Sequence, residues 1–126
     1  MQGAIKVLVV EDDPLFMKLV STMLLSKGCS VHGANSAEEA LDALKAQGFC
    51  VLITDLKMEG LGGIGLIRSL MSDQLFPVAK ILVITGEAEN GEDSLWVKNQ
   101  QIRILRKPFT IKSLLREVDL IVQGCS

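Results

Sequence analysis

Short apolar runs alternate with longer amphipathic segments along the whole chain, and this alternation limits the folds that it can adopt. Three runs, at residues 5–10, 50–54 and 81–84, are nearly continuous and rich in β-branched residues. Such runs suit strands that are buried on both faces of a parallel sheet. Two further runs, at residues 30–34 and 102–105, include polar residues. We therefore predict three interior strands and two edge strands.

Helix signals lie between the predicted strands. Asp13 followed by Pro14 is typical of a helix start, and Ser36 with Glu39 has the spacing of a capping box. Thr110 is predicted to cap the last helix. The apolar positions expected to face the core are Phe16, Leu19, Val20, Met23 and Leu24, then Ala40, Leu41 and Leu44, then Ile64, Ile67, Leu70 and Met71, and finally Ile111, Leu114, Leu115, Val118, Ile121 and Val122.

The segment at residues 87–101 carries the weakest helix signal. It is polar and includes an Asn-Gly pair, and its apolar anchors are limited to Leu95, Trp96 and Val97. We expect a short, poorly tethered helix here.

The order of elements is a strand followed by a helix, repeated five times. Right-handed crossovers between parallel strands then give a doubly wound, three-layer α/β sandwich. Edge positions for the second and fifth strands fit the flavodoxin-like order 2-1-3-4-5. A length of 126 residues, 48% of them hydrophobic, suits one domain, which we place at residues 1–126.

Charge and composition exclude several classes of function. The formal net charge is -2, which gives no electrostatic reason to expect direct nucleic-acid binding. No apolar run is long enough to cross a membrane, and the start of the chain lacks the features of a signal peptide. Cys29, Cys50 and Cys125 have no CxxC spacing and are expected to be reduced thiols. These features favour a cytoplasmic protein.

Polar residues follow four of the predicted strands. Glu11 and Asp12 come after the first, Asp55 after the third, Thr85 after the fourth and Lys107 after the fifth. Ligands of open α/β sheets bind beyond the carboxyl ends of the strands. Clustered carboxylates repel one another unless a cation neutralises them, and a site made only of oxygen ligands suits Mg²⁺. The sequence therefore predicts a magnesium and phosphate site at this edge of the sheet.

The motifs at these strand ends resemble those of a known family. Val-Val-Glu-Asp-Asp-Pro occupies residues 9–14, Ile-Thr-Asp residues 53–55, Ile-Thr-Gly residues 84–86 and Lys-Pro-Phe residues 107–109. In this order they resemble the receiver domain of two-component response regulators, of the chemotaxis-regulator type. The resemblance covers residues 5–122.

The resemblance implies a metal site. It makes Asp12 a direct ligand of Mg²⁺, with Mn²⁺ as an alternative ion, and gives Glu11 a water-mediated role. Asp55 and the backbone carbonyl of Lys57 would complete the protein ligands. Asp13, by contrast, is predicted to be a helix cap.

The same resemblance implies roles in phosphoryl transfer. Asp55 would be the phosphoacceptor, Thr85 would bind the phosphoryl group, and Lys107 would pair with it. A cis peptide bond is expected between Lys107 and Pro108. The chain would not be an enzyme beyond transferring the phosphoryl group to itself and releasing it again.

The family also implies partners. A sensor histidine kinase or a histidine phosphotransfer protein would supply the phosphoryl group. A downstream protein effector or an attached output domain would respond to a change at the fourth helix, fifth strand and fifth helix. Neither a nucleic acid nor a membrane is expected as a direct partner. Family members often dimerise on phosphorylation, and we leave that question open for this chain.

Four positions depart from the family pattern or flank the site. Ile104 stands where the family commonly has an aromatic switch residue, and the chain has no Tyr at all. Glu59 stands where the family often has Pro. Lys57 and Glu87 each lie two residues beyond a site residue, and we hypothesise that they form an ion pair across the mouth of the site.

Other functions remain as alternatives. A degenerate receiver could act as a constitutive protein-interaction module, although the acceptor, acidic and lysine residues are all present. A haloacid-dehalogenase-type phosphatase would need its nucleophile in a DxD pattern after the first strand. A flavin-binding protein would need a Ser/Thr/Gly phosphate loop there, where this chain has acidic residues.

Overall fold

A computed structural model of the chain describes residues 4–124. Its sheet has five parallel strands in the order β2-β1-β3-β4-β5, as predicted. The strands are β1 Lys6–Val10, β2 Ser30–Ala34, β3 Val51–Asp55, β4 Ile81–Thr85 and β5 Arg103–Arg106. The predicted edge strands are β2 and β5. The bounds of β1, β3, β4 and β5 differ from the predicted ones by one residue, so that Asp55 and Thr85 are the last residues of their strands.

Within residues 4–124, five α-helices connect and follow the strands. They are α1 Pro14–Ser26, α2 Ala37–Ala46, α3 Gly62–Ser72, α4 Glu92–Asn99 and α5 Ile111–Gln123, with one turn of 3-10 helix at Val78–Lys80 before β4. The α/β sandwich with five strands and five helices is therefore confirmed.

Asp13 and Ser36 cap α1 and α2 as predicted, but the capping box predicted for α2 is incomplete. Asp13 Oδ1 accepts a hydrogen bond from the Leu15 N–H at 3.0 Å, which makes Asp13 the cap of α1. Ser36 Oγ accepts from the Glu39 N–H at 3.1 Å. The Glu39 carboxylate, however, accepts from the N–H of Asn35, one residue before the position that a capping box requires. Both arrangements satisfy backbone N–H groups that the helix itself leaves without partners.

The sheet separates one apolar core from another. Successive strand residues point to opposite faces, so Leu8 packs in the core beneath α2, α3 and α4, whereas Val7 packs in the core beneath α1 and α5. All residues of β3 and β4 are buried, as expected for interior strands of a parallel sheet. The layers therefore hold the carboxyl ends of β1, β3 and β4 at fixed positions.

The prediction of a core position is wrong for four apolar residues, because their side chains are exposed. They are Leu19, Met71, Leu95 and Ile111. The reason is geometric. A helix that packs on a sheet buries a narrow stripe, and each residue turns the helix by about 100°. In α1, Val20 and Leu24 occupy that stripe, and Leu19 lies to the side of it.

In residues 4–124, no helix is long and apolar enough to cross a membrane. Cys29 is buried, Cys50 is half-buried, and both are free thiols, as predicted. Burial raises the pKa of the Cys29 thiol. Cys125 lies outside the described residues.

Candidate functional site: an acidic cluster at the carboxyl end of the sheet

The predicted phosphoacceptor lies at the end of the most buried strand pair. Asp55 is the last residue of β3 and is 6% exposed, and Thr85 ends β4 with no exposure. Both are interior strands, so the two side chains lie at the same edge of the sheet. A carboxylate at such a position is poorly hydrated and depends on nearby charges and hydrogen bonds.

Asp55 receives those interactions from two lysine residues. Its Oδ2 atom lies 2.7 Å from the Lys107 ammonium, and its Oδ1 atom accepts a hydrogen bond from the Lys57 backbone N–H at 3.0 Å. The first is a charge-assisted hydrogen bond, of the stronger class. The carboxylate is therefore oriented at both oxygens.

Two aromatic residues that were not predicted to belong to the site, Phe16 and Phe109, pack near Lys107. The Lys107 ammonium lies 4.0 Å from the centroid of the Phe16 ring, and Phe16 meets the ring of Phe109 edge to face at 5.9 Å. The Lys107 N–H also donates to the Thr85 carbonyl at 2.8 Å. The peptide bond between Lys107 and Pro108 is cis, as predicted. Phe16 was assigned only to the core, because spacing along a helix does not reveal a cation above a ring.

Glu11 is the most perturbed acid of the cluster. It is 4% exposed, and its Oε2 atom accepts a hydrogen bond from the Asp13 N–H at 3.1 Å. Within residues 4–124, its other oxygen, Oε1, has no hydrogen-bond partner. Burial, with a further contribution from the Asp55 carboxylate, raises the pKa of Glu11 to about 7, against the lowering effect of the Asp13 N–H. A buried acidic oxygen without a partner is what a bound cation or a proton would satisfy.

Asp12 is exposed and contacts the loop after β3. Its Oδ2 atom accepts a hydrogen bond from the Glu59 backbone N–H at 3.1 Å. This contact needs a residue other than Pro at position 59, since Pro has no N–H. Asp12 therefore joins the end of β1 to the loop that follows Asp55.

That loop is shaped by glycine. Gly60 and Gly62 have φ values of 75° and 73°, in the left-handed region that favours glycine. At Gly63, a Cβ atom would lie only 2.2 Å from the Asp55 carbonyl oxygen. The start of α3 can pack against the end of β3 only because residue 63 lacks a side chain.

The acidic residues Glu11, Asp12 and Asp55 suit a magnesium ion, although their side chains alone do not form a complete coordination shell. Within residues 4–124, no group of three or more His, Cys, Asp or Glu side chains is arranged to hold a metal. Magnesium, however, commonly takes one or two carboxylates and completes its shell with water and phosphate oxygens. The Glu11 carboxylate is near Asp55 and has one oxygen without a partner, which fits that chemistry, and Asp12 follows Glu11 directly along the chain.

The residues predicted to flank the site are also in contact. The Lys57 ammonium lies 4.0 Å from Oε2 of Glu87, which confirms the expected pairing. Thr85 Oγ1 accepts a hydrogen bond from the Glu87 N–H at 3.0 Å. Ile104 is half-buried on β5, where it is paired with Val83 of β4.

A model of the response regulator receiver domain family matches residues 7–119. The chain belongs to this family. It is also similar to the heme response regulator HssR of Staphylococcus epidermidis, with 27% identity over 119 residues, which cover 94% of this chain and 52% of that protein. The receiver domain described here thus spans about half the length of the curated relatives that it matches. It is the receiver domain of a response regulator in two-component signalling.

Solved structures of receiver domains have the same fold. A response regulator receiver protein from Pseudomonas putida has a TM-score of 0.84 and 30% identity, covering 95% of this chain and 99% of that one. The chemotaxis protein CheY4 of Vibrio cholerae has a TM-score of 0.84 and 25% identity over 94% of this chain and 99% of that one. A receiver domain protein from Clostridium thermocellum, with a TM-score of 0.85 over 96% of both chains and 23% identity, supports the fold alone.

Proposed function

We propose that this receiver domain accepts a phosphoryl group on Asp55 in a reaction that depends on Mg²⁺. The observation that carries the proposal is the buried Asp55 carboxylate, with the Lys107 ammonium 2.7 Å from Oδ2. The phosphoryl donor is a histidine kinase or a histidine phosphotransfer protein, as the family implies. The donor and the output are proposals, because the matched relatives extend well beyond the part that this chain covers.

The chemistry is an in-line displacement at phosphorus. An Asp55 carboxylate oxygen forms the new O–P bond while the bond from phosphorus to the imidazole nitrogen of the donor breaks. The bonding electrons leave with the imidazole, which takes up a proton. Phosphoryl transfer needs mainly positioning and neutralisation of charge. The Lys57 N–H holds one Asp55 oxygen in place, and the Lys107 ammonium, 2.7 Å from the other oxygen, would neutralise charge on the transferred phosphoryl group.

The residues that would hold the magnesium ion are Glu11, Asp12, Asp55 and the main-chain carbonyl of Lys57. When bound, the ion would neutralise the acidic cluster and the phosphoryl oxygens. Glu11 must be deprotonated to act as an acceptor for an ion or its water. Burial, as the larger cause, together with the nearby Asp55 carboxylate, raises the pKa of Glu11 and so favours its protonated form.

The phosphorylated state ends by hydrolysis. Water attacks phosphorus, the O–P bond to Asp55 breaks, and the carboxylate returns with inorganic phosphate as the product. Under this proposal the domain is a switch rather than an enzyme acting on separate substrates. Its free thiols Cys29 and Cys50 agree with a reducing, cytoplasmic setting. A protein effector or an attached output domain would read the switch.

The second candidate function is a degenerate receiver that binds partners without phosphorylation. One observation favours it: Asp12 accepts a hydrogen bond from the Glu59 N–H, which draws this carboxylate towards the loop. If that contact persisted when magnesium is present, the metal would lose a ligand and phosphorylation would fail.

Intact mass separates the two functions. The protein would be incubated with a small acyl phosphate, with magnesium and with a chelator, as wild type and as Asp55→Asn. Asp42→Asn, at an exposed acid of α2, is the matched control. We expect one phosphoryl group on the wild type and on Asp42→Asn, only with magnesium, and none on Asp55→Asn. Folded wild-type protein that gains no mass would overturn the phosphoacceptor proposal and support the second function.

A further inference from the structure

The Glu87 carboxylate contacts both the mouth of the site and the start of α4. Its Oε1 atom accepts a hydrogen bond from the Ser94 backbone N–H at 2.7 Å. Its Oε2 atom lies 4.0 Å from the Lys57 ammonium. The hydrogen bonds with Ser94 lower the pKa of Glu87, with a smaller effect from Lys57, so Glu87 is ionised at neutral pH. One charged group therefore interacts with two parts of the domain.

The contact with Ser94 replaces a missing helix cap. The residue before α4 is Gly91, which has no side chain to accept hydrogen bonds from the first turn. Ser94 is the third residue of α4, so its N–H is among those that the helix leaves without a partner. A carboxylate at this end also interacts favourably with the helix dipole. A helix of only eight residues is marginal on its own, so such a cap helps to hold its first turn in place.

A second residue ties Glu87 and Ser94 to β5. The Arg106 guanidinium donates to the Glu87 main-chain carbonyl and lies 3.4 Å from Ser94 Oγ. Ser94 itself is 1% exposed. Arg106 is the residue paired with Thr85 across β4 and β5. The helix α4 is short, as predicted, and its start makes polar contacts that its few apolar residues did not indicate.

Glu87 is also joined directly to the proposed phosphoryl-binding residue. Its N–H donates to Thr85 Oγ1 at 3.0 Å. If the Thr85 hydroxyl turned towards a phosphoryl group on Asp55, it would either draw the Glu87 main chain with it or give up this hydrogen bond. A phosphoryl group would also add about −1.5 to −2 charges, and these compete with Glu87 for the Lys57 ammonium.

We propose that Glu87 is a positioning residue that transmits the change at the phosphorylated site to α4 by altering the cap on Ser94. This inference rests on the proposed function and names the residue that carries its output. Ile104, at the position where the resemblance implies an aromatic switch, is a half-buried aliphatic residue beside a cavity of about 250 Å³ that Arg106 also lines. The Ile104 side chain has no polar group that could hydrogen-bond to Thr85, whereas the Glu87 N–H donates a hydrogen bond to Thr85 Oγ1.

Trp96 provides a direct readout of α4. It is the one tryptophan of the sequence, lies half-buried in α4, and its ring is 4.8 Å from the Arg68 guanidinium carbon. The experiment compares Trp96 emission before and after phosphorylation by a small acyl phosphate with Mg²⁺, divided by the phosphorylated fraction from intact mass. Glu87→Ala removes both carboxylate contacts. Glu87→Gln keeps an oxygen for the Ser94 N–H and loses the charge opposite Lys57, and it serves as a second variant if Glu87→Ala does not fold.

Glu89→Gln is the matched control. Glu89 is exposed and contacts Arg106 at 4.0 Å, without a described contact to α4. We expect the Trp96 change per phosphoryl group to fall by at least half in Glu87→Ala, to fall less in Glu87→Gln, and to stay as in the wild type in Glu89→Gln. An unchanged response in both Glu87 variants, or an equal loss in Glu89→Gln, would overturn the inference.

Hydrogen exchange tests the cap without phosphorylation. In the resting state, loss of a cap is expected to speed exchange of the amides at residues 92–99 about fivefold in Glu87→Ala relative to Glu89→Gln. Equal exchange in these variants would mean that Glu87 does not hold α4, and the inference would fail. Failure of the proposed function looks different, since the wild type would then gain no phosphoryl group in the mass measurement.

Discussion

The Lys107 ammonium lies 2.7 Å from Oδ2 of Asp55, which is 6% exposed at the end of β3. Under the proposed function, this ammonium neutralises charge that builds up during phosphoryl transfer. We predict that Lys107→Met slows phosphorylation by a small acyl phosphate about 10²-fold, the usual cost of losing one electrostatic contact to the reacting group. The measurement is the time course of phosphoryl gain by intact mass.

Lys112→Met is the control for that prediction, because Lys112 is an exposed lysine at the start of α5. It should be phosphorylated at the wild-type rate. If Lys107→Met also kept the wild-type rate, the contact with Asp55 would have no part in the transfer.

The ring of Phe16 beneath Lys107 leads to a prediction about stability. Phe16→Leu keeps an apolar side chain but removes the contact with the ammonium at 4.0 Å and the edge-to-face pair with Phe109. We expect a loss of about 1–2 kcal/mol in the free energy of unfolding. Denaturant unfolding measures this, and Leu15→Ala, at a position 79% exposed, should change it by less than about 0.5 kcal/mol. Equal losses in the two variants would contradict a special role for the ring.

Most of the fold could be predicted from the sequence because local signals and burial agree. Asp13 and Thr110 cap their helices as expected, since a side-chain oxygen before a helix has one nearby set of free N–H groups. Strands buried on both faces show as continuous apolar runs. Exposed positions such as Leu19 were mistaken for core, because the width of the buried stripe depends on how the helix sits on the sheet.

The candidate site could be predicted in outline but not in its supporting contacts. Motifs at strand ends brought Asp55 and Lys107 together, since parallel strands end at one edge. The Phe16 ring under Lys107 and the Glu87 cap of α4 could not be foreseen. Both join residues that are far apart in sequence or lie on separate elements, so no local pattern records them.

Gly63 permits a close backbone contact beside the phosphoacceptor, which gives a stability prediction. In Gly63→Ala, the new Cβ would lie 2.2 Å from the Asp55 carbonyl oxygen, so the start of α3 or the end of β3 must move. We expect a loss of about 1–3 kcal/mol in the free energy of unfolding. Gly48→Ala, where nothing lies within 4 Å of the new atom, should be neutral or slightly stabilising. Thermal or denaturant unfolding measures both, and a Gly63→Ala protein as stable as the wild type would disprove the steric argument.

The raised pKa of Glu11 predicts how metal-free protein responds to pH. Between its ordinary pKa of 4.5 and about 7, Glu11 holds its proton in the folded state but not in the unfolded state. The contribution of Glu11 to the free energy of unfolding is therefore fully present below pH 4.5 and is lost as pH rises through about 7. Glu11→Gln cannot ionise, so it escapes this loss. In chelator, we expect the difference in free energy of unfolding between Glu11→Gln and the wild type to be ~2 kcal/mol more favourable to the variant at pH 8 than at pH 5.

Denaturant unfolding at the two pH values measures that gain, and the difference between variant and wild type cancels the other titrating groups. Asp42→Asn, at an exposed acid of α2, is the control. A Glu11→Gln gain of the same size at both pH values would mean that Glu11 is already ionised in the folded protein at pH 5.

The contact between Lys57 and Glu87 predicts the lifetime of the phosphorylated state. The two side chains lie 4.0 Å apart across the mouth of the site, and Lys57 is 70% exposed. An ion pair this exposed is weak, so it can restrict the entry of water only modestly. We expect Lys57→Ala to lose its phosphoryl group faster than the wild type, by less than about fivefold. The measurement is the decay of phosphorylated protein by intact mass after removal of the donor, with Lys98→Ala on α4 as the control. An unchanged lifetime in Lys57→Ala would show that water reaches the phosphoryl group regardless of the pair, and Glu87 would then act only through its contacts with Thr85 and α4.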